Sequence, residues 1–563
     1  MDNKNVFVAI ALSMAVLLFW GAFFETPRQV KETQTLDNVQ TSENKVQSDI
    51  TPNINQEKII KKISRKDALT EMDRVIIENE KVKGSISLKG AIFDDLSFKN
   101  YKKDLKSEEN VVLLNPKDIE DGYYIESGWA SVGNEVEVPG VDSLWQVKGN
   151  RVLSEKNNIV LEWNNGNGLI FKKTIKLDDK YLFKIKQEVK NNTSSKINLY
   201  PYSQITRNKK PDDVMGFYIL HEGFIGVFDG ELKEDDYDDI QEKKIIRNSD
   251  NGWLGITDKY WVAAIVPPKD KNFKSTFLYK DNYRANYILN SPVIINPKGS
   301  SSNEVRLFVA AKEVETVDGY AESENIEKFD LTIDWGWFYF FTKPLFFVID
   351  YLFKFSGNFG IAIVLITLAI RVVFFPLANY SFRSMAKMKA VQPEMTRLKE
   401  IHKDDKVKLQ QEMMALYRKE KINPASGCLP ILIQIPFFFA IYKMLFISLE
   451  MRHQPFFGWI QDLSAKDPTT IFNLFGLIPW DPPGFLIIGI WPILMGLSMY
   501  VQQKLNPAPT DPIQAKIFAF FPLFLTIILA PFPSGLVVYW TVNNILTIAQ
   551  QWVIMRNTKV KTN

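Results

Sequence analysis

The stretch that decides the fold is Gly360-Ile-Ala-Ile-Val-Leu-Ile-Thr-Leu-Ala-Ile-Arg371-Val-Val-Phe-Phe-Pro376, an apolar run with one charge. Such a run is typical of a membrane-spanning helix. A cation at membrane depth costs roughly 2.5–3.5 kcal/mol even on lenient insertion scales, so it usually faces a protein interior or a water-filled cavity. A helix that begins near Asn358 places Arg371 about 20 Å into a hydrocarbon core about 30 Å thick. We therefore predict that Arg371 faces water in a functional site; the alternative is that its long side chain snorkels to the headgroups.

The chain divides sharply by composition. Residues 1–24 and 335–556 are apolar and aromatic, whereas residues 25–330 are polar and charged, in a chain of 563 residues with a net charge of +3. The single cysteine, Cys428, excludes a disulfide framework, and the three histidines lie too far apart in sequence to suggest a metal site. The sequence has no phosphate-binding glycine loop and no nucleophile elbow. We therefore predict no cofactor, no metal, no catalytic residues and no enzymatic activity.

Six apolar runs are candidates for membrane spans. The first, residues 6–24, is uncharged and lacks a small-residue cleavage site, so we predict an uncleaved signal anchor over 1–24 and a flexible linker over 25–60. Residues 381–421 carry eleven Lys/Arg against six Asp/Glu, and such basic loops face the cytoplasm. Both termini are then cytoplasmic, and the polar domain lies on the other side. The five remaining predicted spans are 358–378, 429–449, 485–501, 516–532 and 535–555.

A short aromatic segment, residues 331–356, precedes the second span. Lys343, Asp350 and Lys354 interrupt it at spacings of seven and four, which places all three on one stripe of a helix. We predict an amphipathic helix that lies flat on the outer face of the membrane. The alternative is a long extension of the next span, kinked at Pro344.

Residues 61–330 predict an all-β domain. Residues 169–177 and 181–189 alternate with period two and are joined by a polar turn. Repeated short strands with polar turns are typical of a β-sandwich. Residues 231–239 contain six acids and predict a solvated loop. Nothing in the sequence sets two carboxylates facing one another, so a glycosidase site in this domain is not favoured.

Five motifs occur in order along the membrane half: Arg371 with Phe375-Pro376-Leu377; Ser384-Met-Ala-Lys-Met388 with Gln392-Pro393; Asn423-Pro424 through Gly427-Cys428; Pro430-Ile-Leu-Ile-Gln434-Ile-Pro436; and Phe532-Pro-Ser-Gly-Leu-Val-Val-Tyr-Trp540 with Asn543-Asn544. In these motifs the chain resembles the YidC/Oxa1/Alb3 family of membrane protein insertases, in its Gram-negative branch. The resemblance implies a multi-domain membrane protein: an α-helical bundle of six spans, five of them forming the insertase core, plus an all-β periplasmic supersandwich. The implied domains are a signal anchor (1–24), a linker (25–60), the supersandwich (61–330), an interfacial helix (331–356), the core (357–556) with a cytoplasmic helical hairpin (381–421), and a short basic tail (557–563).

The depths of the polar residues indicate a hydrophilic groove. Gln434 lies about 9 Å and Arg371 roughly 10 Å from the inner face of the membrane. Thr367 is one turn above Arg371, and Asn543 and Asn544 fall near the middle of the last span. For Gln434 or the asparagines alone, ordinary interhelical hydrogen bonds of about 0.6 kcal/mol each would suffice. With a cation at matching depth, we predict a groove open to the cytoplasm and to lipid, in which Arg371 attracts acidic translocated tails.

The resemblance also implies two surfaces that meet the substrate. The first is a contact surface made of Ile435, Phe437, Phe438, Tyr539 and Trp540. The second is the cytoplasmic hairpin, with Met385, Lys387, Met388, Lys389, Met413 and Met414. We predict two helices broken at residues 403–405, whose methionines suit varied apolar segments and whose lysines suit anionic lipid or ribosomal RNA. Alternatively, the hairpin packs only on itself.

The implied function is insertion and folding of inner-membrane proteins, alone or with the Sec translocon. The implied partners are nascent inner-membrane proteins, SecYEG and SecDF, the ribosome with the signal-recognition pathway, and membrane lipids, with no specific DNA binding. The implied location is the Gram-negative inner membrane. Two other classes remain open from the residues: a secondary transporter, which usually has internal repeats, and a membrane-anchored carbohydrate enzyme.

Overall fold

The structure, a computed structural model, describes residues 63–557 except 133–135, 213, 215–219, 404, 421, 424–428, 481, 484–486 and 508–511. The predicted signal anchor, the predicted linker and residues 558–563 of the predicted tail lie outside the described residues. So does Cys428.

Two large β-sheets form the first half of the described chain. The strands are β1 (Arg74–Glu78), β2 (Val82–Ser87), β3 (Ile92–Lys102), β4 (Asn110–Leu114), β5 (Tyr123–Ala130), β6 (Gln146–Val147), β7 (Val152–Leu153), β8 (Ile159–Asn164), β9 (Leu169–Leu177), β10 (Leu182–Asn191), β11 (Ile197–Arg207), β12 (Gly223–Phe228), β13 (Glu231–Asp236), β14 (Ile245–Ser249), β15 (Gly252–Thr257), β16 (Trp261–Val266), β17 (Phe273–Tyr279), β18 (Tyr283–Leu289), β19 (Val293–Ile295) and β20 (Ser300–Ala311). Within the described residues, eleven strands form one sheet in the order β14-β17-β18-β11-β5-β3-β2-β1-β7, with β4 on β3 and β19 on β11. Nine form the other, in the order β13-β12-β15-β16-β20-β10-β9-β8-β6.

The hairpin of β9 and β10 shows how the sequence pattern builds this sandwich. Alternate residues of β9 are buried, as the period-two pattern predicts. Asp178 closes the turn, because its Oδ1 accepts hydrogen bonds from the backbone N–H groups of Lys180 and Leu182, both at 3.0 Å. The two sheets bury a continuous apolar core whose largest fully buried side chains include Trp253, Phe308 and Tyr181.

The acidic stretch 231–239 is not a solvated loop. Its first six residues form β13, which pairs with β12 at the edge of the nine-stranded sheet, and the rest opens a short helix, α2 (Tyr237–Glu242). Charged side chains are common on edge strands because they discourage pairing with another chain. The predicted loop was therefore wrong, because the acidic residues belong to a strand at the edge of a sheet.

The described helices are α1 (Arg65–Thr70), α2 (Tyr237–Glu242), α3 (Val314–Ser323), α4 (Tyr339–Ser356), α5 (Phe359–Val373), α6 (Phe375–Ala390), α7 (Gln392–Ile401), α8 (Lys406–Lys419), α9 (Leu429–Ile447), α10 (Ile490–Leu505), α11 (Pro512–Leu529) and α12 (Ser534–Asn557). Among the described residues, no single helix has the length and hydropathy of a membrane span. The pair α5 and α6, bent by 69° at Phe374, meets both criteria together, by length and composition alone. The predicted span 358–378 therefore crosses a bend.

The amphipathic segment forms α4, a helix distinct from α5. Gly357, in the left-handed region at φ +68°, ends α4, and the Asn358 side chain accepts a hydrogen bond from the Ile361 N–H to begin α5. Because the chain breaks between α4 and α5 at Gly357, the alternative of one long helix kinked at Pro344 is not formed. Pro344 lies inside α4. The predicted charged stripe faces the sandwich domain: Lys343 pairs with Asp318 and Asp330, and Lys354 with Glu315.

The sandwich packs directly against the C-terminal end of α9. Lys443 on α9 pairs with Asp334 at 2.6 Å, and Asp334 also accepts a hydrogen bond from the His221 N–H at 3.0 Å. Burial pushes the pKa of Asp334 upward, but the ammonium of Lys443 and these hydrogen bonds hold the pKa below its usual value. The Val314 N–H, at the start of α3, donates to Glu450 just after α9 at 3.3 Å. These contacts fix the domain on the helices.

Candidate functional site: a guanidinium between two helices

Arg371 lies in the last turn of α5 and reaches α12. Its Nε donates to Asn543 Oδ1 at 3.1 Å, and its Nη2 donates to the same oxygen at 2.6 Å. Nη2 also donates to the Asn543 carbonyl at 3.3 Å and to Thr547 Oγ1 at 2.5 Å. Each described partner is a neutral oxygen, and none of the ion pairs within the described part of the chain involves Arg371. The Arg371 side chain is half-buried. The described residues therefore hold its guanidinium in place without supplying a negative charge to balance it.

Helix α12 presents this site with two residues one turn apart. Asn543 and Thr547 are four residues apart and therefore share a face. The Thr547 hydroxyl donates to the Asn543 carbonyl at 2.6 Å, which leaves its oxygen free to accept from Arg371. Sequence reasoning missed Thr547, although its i, i+4 spacing from Asn543 was a usable signal. The pair orients the guanidinium by hydrogen bonds that do not neutralise it.

The structure separates the two asparagines. Asn544 Nδ2 donates to Ser498 Oγ on α10 at 3.1 Å, and Ser498 in turn donates to the Met495 carbonyl. Asn544 therefore joins α12 to α10, whereas Asn543 holds Arg371. Adjacent helical residues point about 100° apart, so they serve different neighbours.

Thr367 and Gln434, the other two predicted groove residues, form no hydrogen bond with Arg371 within the described part of the chain. Thr367 is buried, and its hydroxyl donates to the Ile363 carbonyl at 2.6 Å on its own helix. This back-bonding uses the hydroxyl within α5. Gln434 is half-buried on α9.

The predicted contact surface divides into a buried stack and an exposed edge. Tyr539 and Trp540 are 4% and 9% exposed. The Phe438 ring stacks on Trp540 with centroids 6.1 Å apart, and it also contacts Tyr539. Phe437 packs against Phe341 and Phe374. Of the five predicted residues, Ile435 alone is exposed, at 38%. In this structure Tyr539 and Trp540 therefore support α9 from inside rather than facing a substrate directly.

Residues 381–421, the predicted cytoplasmic hairpin, contain more helix than predicted. Helix α6 continues to Ala390, and α7 and α8 follow, with the break between Ile401 and Lys406 where the sequence placed it. Lys387, Lys389 and Met414 are exposed, whereas Met385, Met388 and Met413 are half-buried. Met395 is buried and contacts the Tyr417 hydroxyl of α8. Part of the methionine surface thus packs the helices together, and part remains open.

These features define a class: a large β-sandwich domain mounted on an apolar helical unit that holds an unneutralised arginine between two helices. Residues 74–348 match the family model described as the YidC periplasmic domain, and residues 351–562 match the one described as 60Kd inner membrane protein. The membrane protein insertase YidC of Pelagibacter ubique is 54% identical over 563 residues, covering all of both chains. That of Methylorubrum extorquens is 46% identical over all of this chain and 96% of that protein. The chain belongs to the YidC family of membrane protein insertases, bacterial inner-membrane proteins with a periplasmic domain.

A crystal structure of an active YidC insertase with its first transmembrane domain resolved aligns with a TM-score of 0.35 and 15% identity, over 87% of this chain and 93% of that one. A galactose mutarotase related enzyme from Lactobacillus acidophilus aligns with a TM-score of 0.30 and 9% identity, over 42% of this chain and 98% of that one.

Proposed function

We propose that this chain inserts proteins into the inner membrane through a hydrated groove between α5 and α12, with Arg371 as its fixed positive charge. One observation carries the proposal: the guanidinium is held by Asn543 and Thr547, and by no described carboxylate. An arginine inside a membrane protein commonly pairs with an acid or with backbone carbonyls, and such residues mark substrate or ion pathways. Arg371 donates to one backbone carbonyl, that of Asn543, and otherwise to neutral side-chain oxygens, so none of its described partners cancels its charge. Here the charge is positioned but available, which is what attraction of an incoming anion requires.

The groove would lower the barrier for a hydrophilic tail. Such a tail cannot cross about 30 Å of hydrocarbon with unpaired backbone groups. A hydrated groove replaces part of that distance with polar surroundings, and Arg371 favours acidic residues in the tail. The apolar segment of the substrate meanwhile moves into lipid along the exposed edge of α9 that begins at Ile435. The stacked Phe438, Tyr539 and Trp540 hold that edge in place.

We further propose the topology that the loop charges predict. The chain has six spans including the signal anchor, both termini are cytoplasmic, and the sandwich is periplasmic. The segment 381–421 is then cytoplasmic, and its exposed lysines and Met414 receive substrates beside anionic lipid. The chain acts alone or with the Sec translocon (SecYEG and SecDF), and the ribosome with the signal-recognition pathway supplies its nascent substrates.

The decisive test uses liposomes that contain only the purified chain. The substrate is a small single-span protein with an acidic exported tail, and insertion is read by protease protection. We expect protection with the wild type, a marked loss with Arg371→Ala, and substantial recovery with Arg371→Lys, which keeps the charge. Arg151→Ala is the matched control, because Arg151 is an exposed arginine of the sandwich domain and is not part of the groove or of the segment 381–421.

A second substrate separates electrostatics from damage to the fold. When the tail acids are replaced by Asn and Gln, Arg371→Ala should cost little. Equal insertion of the acidic substrate by the wild type and Arg371→Ala would contradict the role given to Arg371, while the family function would stand.

A further inference from the structure

The loop between α9 and α10 contains an exposed apolar segment, residues 471–480, which we term the outer tip. It carries no charge over ten residues. Its large side chains are exposed, Leu477 at 83%, Phe475 at 54% and Leu474 at 52%. The others with large exposed fractions are Ile471, Phe472, Ile478 and Trp480. A contiguous apolar surface of this kind marks a site that another molecule covers.

The base of the loop fixes the outer tip at the sandwich end of the helices. Phe456 packs against Gly360 at the start of α5, and the Ser534 N–H at the start of α12 donates to the Ala465 carbonyl at 2.7 Å. Asp467 is 2% exposed and accepts a hydrogen bond from the Trp491 N–H at the start of α10. The loop therefore crosses the ends of three helices on the side where the domain sits, and the tip extends from this rigid base.

The backbone of the outer tip is hydrogen-bonded within itself. The N–H of Phe475 donates to the Thr470 carbonyl at 3.0 Å, and that of Ile478 to the Asn473 carbonyl at 3.0 Å. The N–H of Leu477 donates to the Leu474 carbonyl at 3.3 Å. Irregular backbone is not tolerated in the hydrocarbon core when it is exposed to lipid, but the interfacial region supplies water and headgroups for the remaining groups. Such a segment fits the interface and not the bilayer centre.

We propose that the outer tip is a lipid-binding wedge, seated among the headgroups and upper acyl chains of the periplasmic leaflet. The chain belongs to an inner-membrane family. The base of the same loop is hydrogen-bonded to the start of α10, and α10 exposes the apolar side chains Leu494 and Leu497, at 40% and 57%. Trp480 at one end of the tip and Trp459 in the same loop are exposed, as in an interfacial belt. A phospholipid surface is the partner that covers an uncharged, aromatic-rich patch on a membrane protein. The proposal depends on the membrane location and not on the groove.

The test measures the depth of single labels in the full chain. With Cys428→Ser as background, Leu477→Cys and, separately, Lys466→Cys are labelled with an environment-sensitive fluorophore. Each protein is placed in vesicles of phosphatidylethanolamine and phosphatidylglycerol. Lys466 is the matched control because it is exposed on the same loop and charged. Leu474→Cys repeats the measurement at a second exposed position.

We expect the labels at 477 and 474 to be quenched by lipids spin-labelled near the headgroup end, with loss of quenching by aqueous iodide. The label at 466 should remain accessible to iodide. Equal iodide quenching at 477 and 466, without quenching by the lipids, would overturn the proposal. So would protection at 477 that appears only at high protein-to-lipid ratio, because it would assign the tip to contact between copies. Neither readout depends on insertion activity, so failure of the groove would remain a separate result.

Discussion

Replacing Asn543 by aspartate tests the site without removing its cation. The Asn543 Oδ1 lies 2.6 Å from Nη2 of Arg371, so a carboxylate there would pair with the guanidinium. At an effective dielectric constant of about 20, unit charges ~4 Å apart attract by about 4 kcal/mol, and a substrate acid ~6 Å from an unpaired arginine gains about 2.8 kcal/mol. With Asn543→Asp, the substrate meets a neutralised pair, and most of that attraction is lost.

We expect insertion of an acidic-tail substrate to fall by roughly 10-fold or more, since 1.4 kcal/mol corresponds to a factor of about ten. The assay is protease protection in liposomes, with a neutral-tail substrate as the internal reference. Salt gives a second comparison. Because 1 M salt shortens the screening length to about 3 Å, it should slow insertion of the acidic-tail substrate more in the wild type than in Asn543→Asp.

Asn544→Asp is the matched control for this prediction. It adds the same charge one residue along α12, but Asn544 faces Ser498 on α10. The reasoning is refuted if Asn543→Asp inserts the acidic-tail substrate at the wild-type rate. It is also refuted if both variants reduce both substrates equally, since that would mean general disruption of α12.

Three further predictions concern the mounting of the domain and the outer loop. Asp334→Ala removes a buried ion-pair partner of Lys443 and should lower the free energy of unfolding by roughly 3–5 kcal/mol, whereas the double variant Asp334→Ala/Lys443→Met should cost clearly less, because it leaves neither member of the pair buried and charged. Burial raises the pKa of Glu450 to about 7, so the stability of the wild type should fall as pH rises from about 4.5 to 7. Glu450→Gln should remove that decline. In melting experiments at several pH values, the variant should be more stable than the wild type at pH 8 by at most about 3 kcal/mol, and no more stable at pH 4. A Cβ at Gly360 would overlap the Phe456 ring, so Gly360→Ala should destabilise by about 1–3 kcal/mol, and adding Phe456→Ala should restore part of the loss in a double-mutant cycle.

The sequence identified the arginine but not the whole of its surroundings. A cation within an apolar run is a strong signal, and Asn543 at a related depth was a sound partner. Asn544 was grouped with it by depth alone, which ignores the direction in which a helical side chain points. Thr367 was placed on the same helical face as Arg371, but its hydroxyl bonds back to the Ile363 carbonyl, which the spacing does not reveal. Tyr539 and Trp540 posed the same problem, because only tertiary packing decides that both rings are covered by α9.

The fold was predictable where local patterns determine it. Alternation specified β9 and β10 because one face of each strand is buried. The acids of β13 were read as a loop, since pairing with β12 is a long-range event that composition does not encode. The bend at Phe374 had a local signal that went unused: Pro376 lies in the first turn of α6, where proline commonly starts a helix.

The pairing of Asp334 with Lys443 couples movement of the sandwich domain to movement of α9. A domain on a slack tether could swing without consequence for the membrane helices. Here a pull on the sheets reaches α9 through contacts that include this ion pair, and α9 carries both Gln434 and the exposed edge at Ile435. Under the proposed topology, mechanical work done on the sandwich is thereby delivered to the wall of the proposed groove.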